Sequence, residues 1–406
     1  MDETLDVAVV GAGPAGSYAA LHLARLGFKV CVFEEHTAIG VPTHCAGHLS
    51  IASLKSLGLY PLPNGIVENI FSCACFHSPS GFEVQVHLNK PVTCAVNRAA
   101  FDVYLAGLAE NSGAVFSMNS RVDGFLFEKG SVAGVLVKQN GVIKRVKSRI
   151  VIDAEGIAAR LLRQAGVSLK RRCLIKTVQA DIADASSVGS GAVHVFLGKA
   201  YAPGFYAWLI PRKDGTAKLG VGVRYGHPYL YLQNLAHKHP VALKLLYGAR
   251  VIRTVYHTIT LDGPLTRAYG EGFLAVGDAA SQVKPTTGGG VVPALICAKL
   301  AAEVVVHALE KNDASRKLLQ SYGKKIQKIF GFDMRVMRLL RRFLDELSDD
   351  QIDRIIRSSC RANLPDLFSD VEEVDFQGRT LLKLLGSSAA LVALTRFSAA
   401  YCFANS

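Results

Sequence analysis

Nothing in this chain looks like a metal site or a disulfide framework. Nine cysteines, at positions 31, 45, 73, 75, 94, 173, 297, 360 and 402, include no CxxC pair, and the twelve histidines fall into no ligand spacing. Zinc and iron–sulfur chemistry are therefore not expected. An odd cysteine count without a leader segment suits free thiols in a reducing compartment. Charge is sparse: 19% of residues are charged while 50% are apolar, and mean hydropathy is +0.25. Even so, no uninterrupted apolar run reaches the ~18 residues that cross a bilayer. The stretch from Val291 is broken by Lys299 and Glu303, and residues 384–395 are too few. Two acids, Asp2 and Glu3, precede the first apolar run, so no signal peptide is expected and the protein should stay in the cytosol. Repeats and low-complexity tracts are absent, and tryptophan occurs once, at Trp208.

What the chain does have is a glycine loop near its start and a partner segment two-thirds of the way along. Asp6-Val-Ala-Val-Val10 leads into Gly11-Ala-Gly13-Pro-Ala15-Gly16, then a helical stretch, then the apolar run from Val30 to Phe33 and Glu34. This is a βαβ pattern: Gly11 permits the tight turn, Gly13 lets the backbone approach a pyrophosphate, and Gly16 allows close helix packing. Glu34, twenty-three positions after Gly11, is placed to accept hydrogen bonds from a ribose diol. The second segment is Gly272-Phe-Leu-Ala-Val-Gly277-Asp278, followed by Lys284-Pro-Thr-Thr-Gly288-Gly289-Gly290-Val291 and an apolar helix. Asp278 can bind a ribityl chain, and amides of Gly288, Gly289, Gly290 and Val291 at a positive helix end can face the pyrimidine edge of a reduced flavin. Together the two segments specify FAD. No second loop of this kind follows a strand, so the reductant is expected from outside, as ferredoxin or diffusing NAD(P)H.

With these segments in view the chain resembles the glutathione-reductase-like FAD superfamily and, within it, the geranylgeranyl reductase family, particularly the archaeal digeranylgeranylglycerophospholipid reductases. Gly40-Val-Pro42-Thr-His44-Cys45-Ala46-Gly47-His48 is similar to the family's stretch beside the flavin. Tyr206-Ala-Trp208-Leu-Ile-Pro211, eight residues, then Gly220-Val-Gly222 is similar to its YxWxFP-x(7-8)-GxG signature, with Ile210 in place of phenylalanine. Arg98-Ala-Ala-Phe101-Asp102 resembles an RxxFD element that helps hold FAD, and Val122 lies where similar folds meet adenine. Glu155 stands in a second nucleotide-side motif where aspartate is commoner. The resemblance covers most of residues 5 to 293. It implies that Cys45, Ala46 and His48 border the cofactor and that Tyr206, Trp208, Pro211, Gly220 and Gly222 shape a substrate slot, to which Tyr201, Phe205 and Phe196 could add.

The implied fold is α/β (α+β), glutathione-reductase-like and PHBH-like. Residues 1–55, 92–165 and 265–310 are expected to form a discontinuous three-layer Rossmann FAD-binding domain. Residues 56–91 and 166–264 should form a β-rich substrate domain over the flavin, and 311–406 a helical C-terminal region. Strands are expected at 115–121, 132–138 and 142–146, with a separate one beginning at Ile150. Cys73 and Cys75 share a strand face as small buried side chains. The cluster 170–172 reads as ordinary surface, and the apolar segment 381–403 closes a tunnel or meets a membrane.

The net charge of +13 calls for an anionic partner. Between Lys324 and Arg342 bases alternate with Ile326, Ile329, Phe330, Met334, Met337 and Leu340, the pattern of a basic amphipathic helix on an anionic membrane or of one packed on its own domain. That alternation disfavours nucleic acid, which takes polar grooves with exposed stacking aromatics. The expected protein is cytoplasmic and peripheral on the inner face of the cell membrane. Its expected activity is saturation of geranylgeranyl chains on an isoprenoid phospholipid. Because an isolated alkene cannot stabilise a carbanion, hydride from reduced FAD must be matched by protonation, for which Cys45 is the candidate, with His44 or His48 as alternatives. Competing readings are a flavin monooxygenase or halogenase of the same fold and a tRNA-modifying flavoprotein.

Overall fold

The computed structural model describes residues 4–169, 173–386 and Thr395. The cluster 170–172 and most of the apolar segment 381–403 lie outside the described residues. The chain folds as two compact units. One comprises Met1–Thr43, Arg98–Arg172 and Thr260–Met334, the other His44–Asn97, Cys173–Ile259 and Arg335–Ser406. The stretch from residue 311, expected as a region of its own, is divided between them: the helix Arg316–Glu346 changes unit after Met334.

In the first unit the strand Leu5–Val10 lies between Val30–Phe33 and Val142–Asp153, all parallel, with Val115–Ser117 and Phe273–Ala275 extending the parallel sheet on either side. Runs of β-branched residues suit these positions because both faces are covered: Val7, Val9, Val32, Val151 and Ile152 are wholly buried. Helix Pro14–Ala24 packs against Arg98–Asn111 and Val291–Glu310. The last is long and apolar enough to cross a membrane, but it is mostly buried, as a core helix is. Residues 142–146 and 150–153, expected as separate strands, form one twelve-residue strand. Its exposed first half pairs antiparallel with Ser131–Gln139, and its buried second half enters the parallel sheet. No glycine or proline interrupts 142–153, so no strong local breaker divides it.

The second unit holds a seven-stranded sheet in the order Arg250–Thr260, Leu174–Ala183, Ala217–Val223, Ala207–Pro211, Val193–Phe196, Cys73–His77, Glu83–His87. A smaller sheet joins His48–Ser50, Thr93–Val96 and Val67–Phe71. Cys75 is buried and Cys73 half-buried. One face of the large sheet is apolar: Val178, Phe196, Leu209, Leu219 and Val221 form a core with Leu232, Leu235 and Ala242 from the helices Pro228–Lys238 and Pro240–Leu245. Beneath it His77, His194 and His239 cluster with Phe196, and all three histidines are buried.

Along Arg316–Glu346 the amphipathic pattern resolves into two stripes. Ile326, Phe330, Met334 and Met337 are buried, whereas Arg335, Leu339, Arg342 and Phe343 are exposed on one face. Arg341, grouped by pattern with the solvent-facing bases, is instead buried and paired with Asp345 at 2.7 Å.

Candidate functional site

The glycine loop of the first unit separates its three glycines by task. A Cβ on Gly11, whose φ is +95°, would lie 2.6 Å from the Ala154 carbonyl oxygen, and one on Gly16 would lie 2.0 Å from the Gly11 carbonyl oxygen. Both positions are closed by the loop's own packing. A Cβ on Gly13 would meet nothing within 4 Å. That open approach, over a helix end with no side-chain cap and no acid in its first turn, is what a pyrophosphate requires. Glu34 Oε2 accepts from the Ala12 amide at 2.8 Å and Oε1 from the His36 amide at 3.0 Å, so the carboxylate is anchored at the loop with lone pairs to spare for a diol.

The other candidate residues of this unit are held in place by contacts within it. Arg98 donates through Nε and Nη2 to Asp102 one helical turn on, at 3.0 to 3.1 Å, around a wholly buried Phe101, which gives the RxxFD spacing its reason. Burial pushes the Asp102 carboxyl up, and the Arg98 charge opposes this. The Val122 carbonyl accepts from Arg160 Nη2 at 3.3 Å. Glu155 pairs with Arg160 at 3.2 Å and accepts from the Leu161 amide at 2.7 Å, so it engages the first turn of the helix Arg160–Gln164. Asp278 and the second glycine segment are together: a Cβ on Gly290 would lie 3.1 Å from Asp278 Oδ1. Helix Val291–Glu310 begins there without a side-chain cap or an acid in its first turn. The turn is braced from below by a buried chain in which the Gly277 amide donates to Gln282 Oε1 (2.7 Å), Gln282 Nε2 to Tyr322 Oη (2.8 Å), and Tyr322 Oη to the Ala275 carbonyl (3.0 Å).

In the second unit Lys218 and the Gly220-Val-Gly222 signature lie on the sheet face opposite the apolar core. Alternation on Ala217–Val223 puts Lys218, Gly220 and Gly222 on this face. A Cβ on Gly220 would lie 2.2 Å from the Trp208 indole, and one on Gly222 2.4 Å from the Phe205 ring. The GxG pair therefore leaves the space that two aromatic rings occupy against the strand. Trp208 Nε1 donates to Gln179 Oε1 at 3.3 Å, and Tyr206 bridges the row, 4.3 Å from Phe205 and 5.9 Å from Trp208 between ring centres. Burial raises the Tyr206 phenol above its ordinary range, so it stays protonated.

A family model described as an FAD binding domain matches residues 4–330. Digeranylgeranylglycerophospholipid reductase 2 of Methanopyrus kandleri is 32% identical over 91% of this chain and 94% of its own length. The chain belongs to the digeranylgeranylglycerophospholipid reductase family of FAD-binding proteins. Its cofactor is FAD. A solved geranylgeranyl bacteriochlorophyll reductase-like protein from Thermoplasma acidophilum superposes with a TM-score of 0.85 at 28% identity, covering 98% of this chain and 99% of that one. The myxobacterial chondrochloren halogenase, at 20% identity and a TM-score of 0.70 over 96% of this chain and 97% of its own, shares the fold.

In this member of the reductase family Ala46 and Trp208 both pack against the cluster of Phe71, Ala95, Val193 and Ile210, so the Cys45 turn and the aromatic row border one apolar cluster within one unit. Ile210, which takes the place of the usual phenylalanine, is buried in that wall. Cys45 Sγ accepts from the Gly47 amide at 3.4 Å. His44 stacks on His257, ring centres 4.7 Å apart, and His48 is exposed with Nε2 2.7 Å from Thr93 Oγ1. Pro211 alternates away from Trp208, and its carbonyl accepts from Asn69 Nδ2 at 3.0 Å. Phe196 and Tyr201 pack with the core and His239, apart from the Tyr206–Trp208 row. Sequence reasoning missed Arg160, the Gln282–Tyr322 brace and Lys218. Only the last carried a signal, as a lysine inside an otherwise apolar strand.

Proposed function

We propose that this chain is an FAD-dependent reductase that saturates C=C bonds of geranylgeranyl chains, with digeranylgeranylglycerophospholipids of archaeal membranes as substrate. The observation that carries this reading is identity along almost the full length of a relative named for that reaction. The aromatic row beside Cys45 supports it, because an isoprenoid chain needs a long apolar wall with few polar partners.

An isolated alkene has no carbonyl to take up charge, so hydride addition at one carbon has to be matched by protonation at the other. Reduced FAD supplies the hydride when bound. Tyr206 and Trp208 hold the chain and exclude water, and the Cys45 thiol is the proton source we assign. His44 and His48 are less suited, since their rings are engaged with His257 and Thr93. We assign FAD to the glycine loop, Glu34, Arg98 and the Asp278–Val291 segment. With one nucleotide loop in the chain, the electrons come from an external donor, a ferredoxin or NAD(P)H. The protein works at the inner face of the cell membrane as a peripheral, cytoplasmic enzyme. The exposed row Arg335, Leu339, Arg342 and Phe343 supports this, because cations and large apolar side chains on one helix face suit an anionic bilayer.

The test is anaerobic. The flavoprotein is reduced with dithionite and given digeranylgeranylglyceryl phospholipid, while flavin absorbance and product mass are followed. Reoxidation with mass gains of two hydrogens per step is expected. Reoxidation only when air is admitted would replace this reading with an oxygenase or halogenase.

A further inference from the structure

Lys218 is 4% exposed in the middle of the strand Ala217–Val223, a position where an ammonium is tolerated only if every hydrogen finds a partner. It has three: the Glu68 carboxylate at 3.0 Å, the Ala46 carbonyl at 3.0 Å and the Val96 carbonyl at 3.3 Å. Glu68 is also held by Arg212 at 3.2 Å, so it does not depend on Lys218 for a counter-charge. The two carbonyls do more than satisfy donors. Ala46 is the centre of the Cys45–Gly47 turn, and the Val96 amide in turn donates to the Gly47 carbonyl at 2.9 Å.

We propose that Lys218 is a positioning residue that clamps the Cys45-Ala46-Gly47 turn to the aromatic face of the sheet. It shares that face with Gly220 and Gly222, so one row of the strand seats both the rings and the turn. Lys218 touches neither flavin nor lipid in this role. It acts through the main chain of Ala46, fixing where the Cys45 thiol stands. Burial lowers the pKa of the ammonium, and the Glu68 carboxylate opposes this. The inference rests on the assignment of the Cys45 turn to the reaction site.

The test uses the FAD-loaded protein and timed iodoacetamide labelling, read cysteine by cysteine by peptide mass spectrometry. Lys218→Met keeps the length of the side chain but removes its three donors. Its expected result is Cys45 labelling about tenfold faster than in the wild type, the loss of roughly one to two hydrogen bonds' worth of restraint. Cys75 and Cys94, both buried in the same unit, should keep their wild-type rates. Lys218→Arg, which retains charge and donors, should restore slow Cys45 labelling and most of kcat, with KM for lipid little changed throughout. An unchanged Cys45 rate in a folded Lys218→Met protein overturns the clamp. So does a parallel rise at Cys75 and Cys94, which would mean that Lys218 merely holds the unit together. Labelling is read without lipid, so selective exposure of Cys45 alongside a wild type that leaves the lipid unreduced would strike the assigned reaction and keep the clamp.

Discussion

Replacing Gly16 by alanine places a methyl carbon 2.0 Å from the Gly11 carbonyl oxygen. Ordinary contact begins near 3.5 Å, so the helix Pro14–Ala24 or the loop has to move by about 1.5 Å. The opposing atom belongs to the backbone of a loop held by Ala154, so it cannot swing aside, and the cost falls at the upper end of overpacking, about 3 kcal/mol. Gly13 is the internal contrast. Its φ of −67° and ψ of 176° suit any residue, and its Cβ would meet no protein atom. Gly13→Ala should therefore change the stability of the FAD-free protein by less than about 1 kcal/mol, the scale of a glycine-to-alanine change at a helix cap. It should weaken FAD binding at least about tenfold, or about 1.4 kcal/mol, because the methyl occupies the approach of the pyrophosphate. Urea denaturation of FAD-stripped protein and flavin fluorescence titration measure the two effects separately. Equal destabilisation by both substitutions, or wild-type FAD affinity in Gly13→Ala, would refute the division of tasks between the glycines.

Three further outcomes follow from other parts of the molecule. His77, His194 and His239 are buried together, and burial lowers all three pKa values, His77 to about 3, despite Glu83 at 3.3 Å from His77 Nδ1. Their contribution is complete above the unfolded value near 6.5 and is lost as pH falls below it, for His77 toward about 3. The thermal midpoint should drop over this range, with His77 approaching about 1.4 kcal/mol per pH unit, and a His77→Gln variant should flatten the profile. Gly220→Ala should displace the half-buried Trp208 indole. It should shift tryptophan fluorescence, which reports this one residue, and raise KM for lipid while leaving FAD affinity unchanged. Tyr322→Phe leaves the Gln282 amide and the Ala275 carbonyl short of a buried partner and should cost about 1–3 kcal/mol in denaturation, with weaker FAD retention from the unbraced Asp278 turn.

The cofactor was legible in the amino-acid order because its requirements are local. A turn at φ +95°, a close approach at Gly16 and an open one at Gly13 each demand glycine at a fixed offset from a strand end, and an acid twenty-three positions on closes the βαβ unit. The signature Tyr206-x-Trp208 and Gly220-x-Gly222 was equally readable, though not its physics, which is two rings lying on two glycines of the neighbouring strand. What remained hidden depends on distant segments meeting. The strand Val142–Asp153 is one element because its halves find different partners, Ser131–Gln139 and Leu5–Val10. Buried and exposed residues on Arg316–Glu346 share one periodic pattern, and only packing sorts Arg341 inward and Arg342 outward. Lys218 reaches Ala46 across 172 positions, and the three histidines meet from three separate stretches. Sequence by itself determined the cofactor and the family, because a backbone conformation is written in adjacent residues. Tertiary structure alone decided which polar groups are buried together, because the desolvation that gives them their role comes from side chains the local sequence does not contain.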